Sequence, residues 1–439
     1  MIPVPFLRNL TRIASVLLLA AGLSNSPALA DQSDNDENLV PFRRDSLWGY
    51  VDRMQRVVVE PQYDITMPLV EGVGRVMRSG RWGYVDSDGN FLTEIKFSTA
   101  EPFNGDFAAV SIRGRYGFVG REGLIRIPLH YDYVGSFSER RAAVRQGNFW
   151  GHIDEDGNVT TPLEYQFADA FAEGRAMIRV GEEIGYVDTD GNVVIDAEYD
   201  EGMFFRNGMA KVRRGSQWGF IDKQGRPIIN IEYDKIDMFR QGLARVALNE
   251  QWGVINSKGE IVVPIIYDRL DNFSDGRARF EVNGMFGFVD KSGNIVVPAV
   301  LMSAKPYSEG LAAVYQDNTE YIDTLGTVVL SLPEGLGGSF YNDRASVYIG
   351  GKYGFIDRDG KIVVEPQYDD VGNFENGLAI VRVGSNYGII DDDGNHVLDI
   401  RYPYIADFRN GLATIHSRRS TDPSSIIGYV DLRGKGYWK

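Results

Sequence analysis

The sequence predicts an all-β protein, a tandem array of about twelve 34-residue units, each a three-stranded β-meander. Three observations carry this. An aromatic-Gly pair returns every 34 residues at Trp48-Gly49, Trp82-Gly83, Tyr116-Gly117, Trp150-Gly151, Trp218-Gly219, Trp252-Gly253 and Phe286-Gly287, with Ile184-Gly185 holding the slot between. Apolar positions within a unit alternate with period two and are rich in Val, Ile, Tyr and Phe, the pattern of half-buried strands. Turn signals of the form Asp-x-Asp-Gly-Asn punctuate each unit, Gly supplying φ > 0 and Asp capping the backbone before it.

A period of 34 also fits helical tetratricopeptide arrays. The unit Trp218–Gln251 contains Gly219, Gly225, Pro227 and Gly242. In helix interiors each Gly costs about 1 kcal/mol and Pro about 3, so the helical reading fails in every unit.

Taken in order, residues 1–30 read as a secretory signal peptide. Arg8 and Arg12 precede the apolar run Ile13–Ala21, too short to span a bilayer, and Ala28-Leu29-Ala30 is a small-x-small cleavage site. Cleavage after Ala30 would place the protein in the periplasm or outside the cell. Residues 31–45 read as an acidic, disordered lead-in, residues 46–318 as regular repeats, and residues 319–345 as a degenerate repeat and possible seam. In that stretch Thr319-Glu320 replaces the aromatic-Gly pair one residue early. Residues 346–439 resume the repeat at Tyr353-Gly354 and Tyr387-Gly388, then carry an insert near 417–425 before Ile427-Gly428.

Within the unit, strand one is Leu243–Ala247, strand two Trp252–Asn256 and strand three Glu260–Val263. The stretch Tyr233–Gly242 links units, with room for one short helical turn. Alternation puts Gly253 and Ile255 on one face of strand two, the expected shared core, and Trp252 and Val254 on the other. Gly at that position allows a backbone or ring to approach closely. No unit can bury both faces alone, so stability must come from neighbours. Twelve units of 34 fit an open β-solenoid or superhelix better than propeller blades of about 40–45 residues. One or two propeller-like closed rings are the alternative.

The recurring Trp-Gly-Tyr/Phe-Val/Ile-Asp-x-x-Gly, the apolar-Pro-x-Tyr-Asp and the Phe-x-x-Gly-Leu-Ala-x-Val resemble the WG-repeat (KWG-repeat) family of bacterial β-repeat proteins across nearly all of residues 46–435. The resemblance implies an extracytoplasmic or interaction-type role and brings no shared catalytic residues.

Composition narrows function further. The chain has no Cys, which removes disulfide scaffolds, thiolate metal sites and Cys nucleophiles. A net charge of −15 disfavours nucleic acid and anionic membranes as partners. Asp86-Ser87-Asp88-Gly89-Asn90 and its counterparts look like calcium loops but lack the position-12 Glu of an EF-hand, so they read as turns. His130, His152, His396 and His416 fall in different slots without metal-ligand spacing. No nucleophile elbow, phosphate loop or dinucleotide fingerprint is present. The sequence therefore points to no catalytic residues, no metal and no cofactor. One column invites a site: Trp48, Trp82, Tyr116, Trp150, Trp218, Trp252, Phe286, Tyr353 and Tyr387. Exposed, it would be an aromatic ladder for sugar rings. Packing between units is the preferred reading, because Ile replaces a core ring more naturally than a stacking platform. The expected function is a non-enzymatic binding or scaffold module for a protein or envelope polysaccharide over an extended face. The alternative is a carbohydrate-binding or glycosidase-like envelope protein, which would need a carboxylate pair assembled across units.

Overall fold

The computed structural model describes residues 39–406, 408, 411–420 and 425–438. The expected signal segment, the lead-in through residue 38 and insert residues 421–424 lie outside the described residues. Among the described residues the chain forms twelve successive antiparallel sheets and no α-helix. No helix there is long and apolar enough to cross a membrane.

The seventh sheet, or blade, shows the plan. Strands Lys235–Ile236, Leu243–Leu248, Gln251–Asn256 and Ile261–Tyr267 pair in sequence order. The expected meander thus gains a short first strand, within the stretch where the sequence left room for a helical turn. Only Asp268 separates Tyr267 from the first strand of blade eight, Arg269–Leu270. The Tyr-Asp motif has a local reason: Asp234 Oδ2 accepts the Asn249 N–H at 2.7 Å, and Asp268 Oδ2 the Asn283 N–H at 2.7 Å. Each such carboxylate ties the entry of a blade to the tip of that blade's first long hairpin.

Gly253 explains the last strand. Trp252 pairs with Tyr267 and Val254 with Val263, so two steps along one strand oppose four along the other. The surplus residues form a bulge that carries the edge strand's backbone over the glycine. A Cβ at Gly253 would lie 2.7 Å from Val263 O. The same clash with an edge-strand carbonyl recurs at Gly117, Gly151, Gly185, Gly219 and Gly388, each at 2.7 Å or less. None of these glycines has positive φ; the requirement is for space. Blade nine supplies the contrast. Glu320 stands in the glycine slot, and the edge strand Val328–Ser331 has no bulge opposite it, pairing Glu320 with Ser331 and Tyr321 with Leu330 in step, with a one-residue shift only between Tyr321 and Ile322.

Both faces of each blade are buried, and the neighbouring blades cover them. Ala244, Val246 and Ile255 pack on Phe220, Ile229 and Tyr233 of the preceding blade. Val254, Val263 and Tyr267 pack on Leu270, Ala278, Phe280 and Val289 of the following one. Polar bonds cross the same interfaces. Where the residue after the repeat glycine is Tyr, it reaches the next blade: Tyr50 Oη donates to Met67 O at 2.7 Å, Tyr84 Oη to Glu101 O at 2.6 Å and Tyr186 Oη to Met203 O at 2.9 Å.

The array closes into a twelve-blade, propeller-like ring, the alternative to the open array that unit length favoured. The lead-in boundary also moves, because Val40–Arg44 is a strand of blade one, paired with Leu47–Val51. Its alternating Val40 and Phe42 bury against Tyr429 and Tyr437, together with Trp48 and Val51. Arg43 forms a backbone bridge with Trp438, and Trp48 meets Tyr429 edge-on at 5.9 Å. Lys435 Nζ donates to Arg53 O at 2.7 Å and Gln55 Nε2 to Gly436 O at 2.8 Å. Val40 and Phe42 stand one period before Gly74 and Val76, in the same register, but in the stretch that the sequence assigned to the lead-in. The degenerate stretch 319–345 supplies part of blade nine and the start of blade ten, in the same sheet order as its neighbours.

Replacing Gly117 by Ala should cost about 3 kcal/mol in chemical denaturation, through overpacking against Ile127 O and Pro128 O. Gly114 has φ +76° with open space around it; its Ala variant should cost only about 1 kcal/mol, the left-handed backbone penalty. Equal costs would refute the crossing as the reason for the repeat glycine.

Candidate functional site

The nine aromatic positions all lie second in the second long strand of their blades. Trp48 is buried in the closing interface and the other eight are half-buried. Trp82, Tyr116, Trp150, Trp218, Trp252, Phe286 and Tyr387 each pack partly on the apolar cluster shared with the following blade. Two kinds of neighbour cover the rings. In blades three to five, rings cover rings: Tyr116 lies 6.3 Å from Tyr133, Tyr133 5.1 Å from Trp150, and Trp150 5.3 Å from Phe167. Tyr353 meets Tyr348 at 4.8 Å, and Tyr387 meets Tyr404 at 5.7 Å.

In blades six to eight, cations cover the rings. Lys211 Nζ sits 4.1 Å from the Trp218 centroid, the Arg245 guanidinium 5.2 Å from Trp252 and the Arg279 guanidinium 5.1 Å from Phe286. Such contacts contribute about 0.5–2 kcal/mol, more where water is excluded. Among the described residues no ring pair joins Trp218 to Trp252 or Trp252 to Phe286. The column is thus a series of separate packed rings, with one continuous run only across Tyr116, Tyr133, Trp150 and Phe167.

The cations were missed in the sequence because they stand seven residues before the ring, on the neighbouring strand. They also join blades. Arg245 Nε donates to Asp237 Oδ2 at 2.7 Å, and a terminal nitrogen donates to Leu270 O of the next blade at 2.6 Å. Arg279 repeats this with Asp271 at 2.8 Å and with Ala304 O. Burial pushes the Lys211 ammonium below its ordinary pKa, opposed by Asp237 and Glu201. A cleft of about 230 Å³ opens between these blades, lined by Arg240, Gln241, Arg245, Asn272, Phe273 and Lys291 among others.

At the tip of a blade's last hairpin, the carboxylate that recurs in most blades is spent on its own turn. Asp290 Oδ1 accepts the Ser292 and Asn294 N–H groups at 2.9 Å each, and Oδ2 accepts Asn294 Nδ2 at 3.0 Å. The Asn294 amide, the largest contributor, holds the Asp290 carboxyl below its ordinary range. Asp154, Asp188, Asp222 and Asp391 make the same bonds. The first turns of several blades carry a ladder that the sequence did not reveal. Glu173 accepts the Asn207 and Gly208 N–H groups at 2.6 and 2.8 Å, Glu139 the Gly174 N–H at 2.7 Å, and Glu309 the Asn342 N–H at 2.6 Å. The partner lies one repeat away, so each Glu reads locally as an ordinary turn residue.

Two histidines are buried. His416 Nδ1 lies 2.8 Å from Ser425 Oγ and its Nε2 2.7 Å from Thr414 Oγ1. Sequence reasoning did not join these residues across the insert. The third member is a hydroxyl, which does not offset an imidazolium charge as a triad carboxylate does. His416 and Ser425 are 2% and 1% exposed, closed off from a substrate.

His152 occupies the slot held elsewhere by an interface Tyr or Phe. Its Nε2 donates to Asp169 O at 2.7 Å. Burial, only partly opposed by that carbonyl, pushes its pKa from 6.5 to about 4. The unfolded chain therefore binds the extra proton first, and stability falls as pH drops from 6.5 towards 4. The full gap corresponds to about 3 kcal/mol. His152→Tyr keeps a donor to Asp169 O, as Tyr186 does to Met203 O. Urea titrations at pH 7 and pH 4.5 should show the loss in the native chain and a much smaller one in the variant; equal losses would sink this assignment.

Comparison with known proteins fits the repeat geometry. Among curated proteins no relative matches the chain. Of solved structures, a eukaryotic initiation factor overlaps 67% of this chain and 95% of its own, at 10% identity and TM-score 0.35. The extracellular domain of a hybrid two-component system from B. thetaiotaomicron overlaps 88% and 73%, at 9% identity and TM-score 0.25. PorZ, a surface component of the Porphyromonas gingivalis type-IX secretion system, overlaps 89% and 72%, at 10% identity and TM-score 0.23. Overlaps this loose say nothing about activity. The WG containing repeat matches at residues 48–82, 82–116, 116–148, 150–183, 184–217, 218–252, 252–285, 286–319, 353–387 and 387–415. The one internal stretch they leave out that exceeds a residue, 320–352, takes in the second half of blade nine, where the glycine is lost, and the first half of blade ten: the chain belongs to the WG-repeat family.

Proposed function

We propose that the ring is an extracytoplasmic, non-enzymatic scaffold that binds a protein or envelope polysaccharide over an extended face. One observation carries this reading: the recurrent polar and aromatic groups are spent on turns and on blade interfaces, and the residues that differ between blades lie on exposed edge positions. The slot before the last edge-strand residue shows it, with Gln62, His130, Glu164, Glu198, Ile266, Val300 and Arg401 in turn. A stiff frame with chemically varied edges suits recognition. The negative charge favours a basic or neutral partner.

The export reading rests on the sequence signature of residues 1–30. Mass spectrometry of the exported protein should give an N-terminus at Asp31, and an intact Met1 on the mature protein would overturn it.

The alternative, a carbohydrate-binding envelope protein, draws support from the continuous run Tyr116–Tyr133–Trp150–Phe167, in which Tyr133 is 44% exposed. Trp150→Ala separates the readings. If the ring only packs, the variant should lose about 2–4 kcal/mol of stability and leave a glycan-array profile unchanged. Selective loss of glycan binding at unchanged stability would favour the sugar platform. Turnover of a glycan by the purified protein would overturn the non-enzymatic reading.

A further inference from the structure

Blade nine differs from the other blades in one respect that bears on partners. In the bulged blades the free edge is unsuited to further pairing. The strand bends over the glycine, and Pro128, Pro162, Pro264 and Pro298 occupy the position just after the last residue of the straight segment. Proline there offers no N–H, and bulges and prolines are how sheets block edge-to-edge association. Blade nine has lost the wide bulge and the proline. Strand Val328–Ser331 keeps a one-residue irregularity at Val329, but beyond it Leu330 and Ser331 pair in step with Tyr321 and Glu320; it contains no proline and has Ser331 in the proline position, after Leu330. Leu332 N donates inward to Thr319 O at 2.9 Å. By strand alternation the Ser331 N–H points to the free side. Around it Leu325, Val328, Val329 and Leu336 are 74%, 48%, 54% and 59% exposed.

The charge is as one-sided as the edge. Residues 306–343 hold six acids and no Lys or Arg. Glu309 and Asp343 pair with Arg358. Asp317, Glu320, Asp323 and Glu334 make no ion pair among the described residues. A second copy would bring the same negative charge to this edge, so self-pairing is disfavoured.

We propose that the edge strand Val328–Ser331 accepts an extended segment of another protein, one that alternates apolar and basic residues, as an added β-strand. Backbone pairing supplies the register, Val328 and Val329 the apolar contact, and the unpaired acids the charge preference. This rests on the reading of the ring as a binding scaffold and names the segment chemistry that one blade would take.

The test uses the full chain and labelled synthetic peptides in fluorescence anisotropy. The probe is an alternating Lys-Val heptapeptide. One control replaces Lys with Glu, and another replaces Val with Pro. The Lys-Val peptide should bind saturably and weaken with salt, and both controls should bind at least ten-fold more weakly. Ser331→Pro installs the residue that four sister blades carry. It should reduce binding at least ten-fold with an unchanged melting temperature, and Val329→Lys should do the same. Three results would overturn the inference: no saturable binding, equal binding of the Pro control, or unchanged binding by folded Ser331→Pro. Sedimentation showing a dimer that Ser331→Pro dissolves would assign the edge to a second copy instead. A ring whose partner capture from extract survives Ser331→Pro would sink this inference alone, whereas a ring that captures neither protein nor glycan would sink the scaffold reading itself.

Discussion

One steric constraint organises the molecule: the edge strand of each regular blade crosses the backbone of the second long strand at a residue that can have no side chain. The crossing absorbs surplus residues of the edge strand as a bulge and brings Tyr267 and its equivalents to the start of the next blade with one residue to spare. Without it the edge strand would run straight and the connection would need more chain. Blade nine demonstrates this within the same molecule. With Glu320 in the glycine slot the bulge opposite that slot vanishes, and the chain needs residues 332–335 before the next strand begins.

Given the crossing, the remaining repeat residues follow from the need to join blades that cannot stand alone. A two-faced sheet of three or four short strands must bury both faces, and the twelve apolar clusters do so, one at each interface. Polar groups cross beside them. An interface Tyr reaches a carbonyl of the next blade, an Arg such as Arg245 spans from Asp237 to Leu270 O, and turn carboxylates such as Glu173 hold the next turn's N–H groups. Inside a protein such bonds gain strength from the lowered dielectric, and a missing partner is correspondingly costly. This gives physical content to the absence of Cys: the links between units are many, moderate and distributed.

Much of the fold was legible in the sequence, and the unread part has identifiable causes. Period two and the recurring Gly gave the long strands, and the close approach at Gly253 could be inferred because an interior strand glycine has few other uses. The two-residue first strand, Lys235–Ile236, could not be read, since two residues carry no periodicity. Closure escaped because Val40 and Phe42, although in phase with Gly74 and Val76, sit in the stretch that reads as an acidic lead-in, and because the wedge between blades depends on side-chain volumes at twelve interfaces. The aromatic column was visible as a column. Its surroundings were not, because Lys211, Arg245 and Arg279 come from the adjacent strand. The Glu173 ladder was hidden for a related reason, its acceptor and donors being one full unit apart.

Closure at the Val40–Arg44 strand changes how the array can come apart. In an open stack the terminal repeat has one neighbour, so fraying begins there by losing a single interface. Here blade one has both blade two and blade twelve, and every blade must break two interfaces to leave. The first step of unfolding is therefore rupture of one interface, which opens the ring without freeing a blade, and a second interface must break before any blade leaves. Such a ring persists by the slowness of its opening, a kinetic property that its modest individual bonds would not suggest.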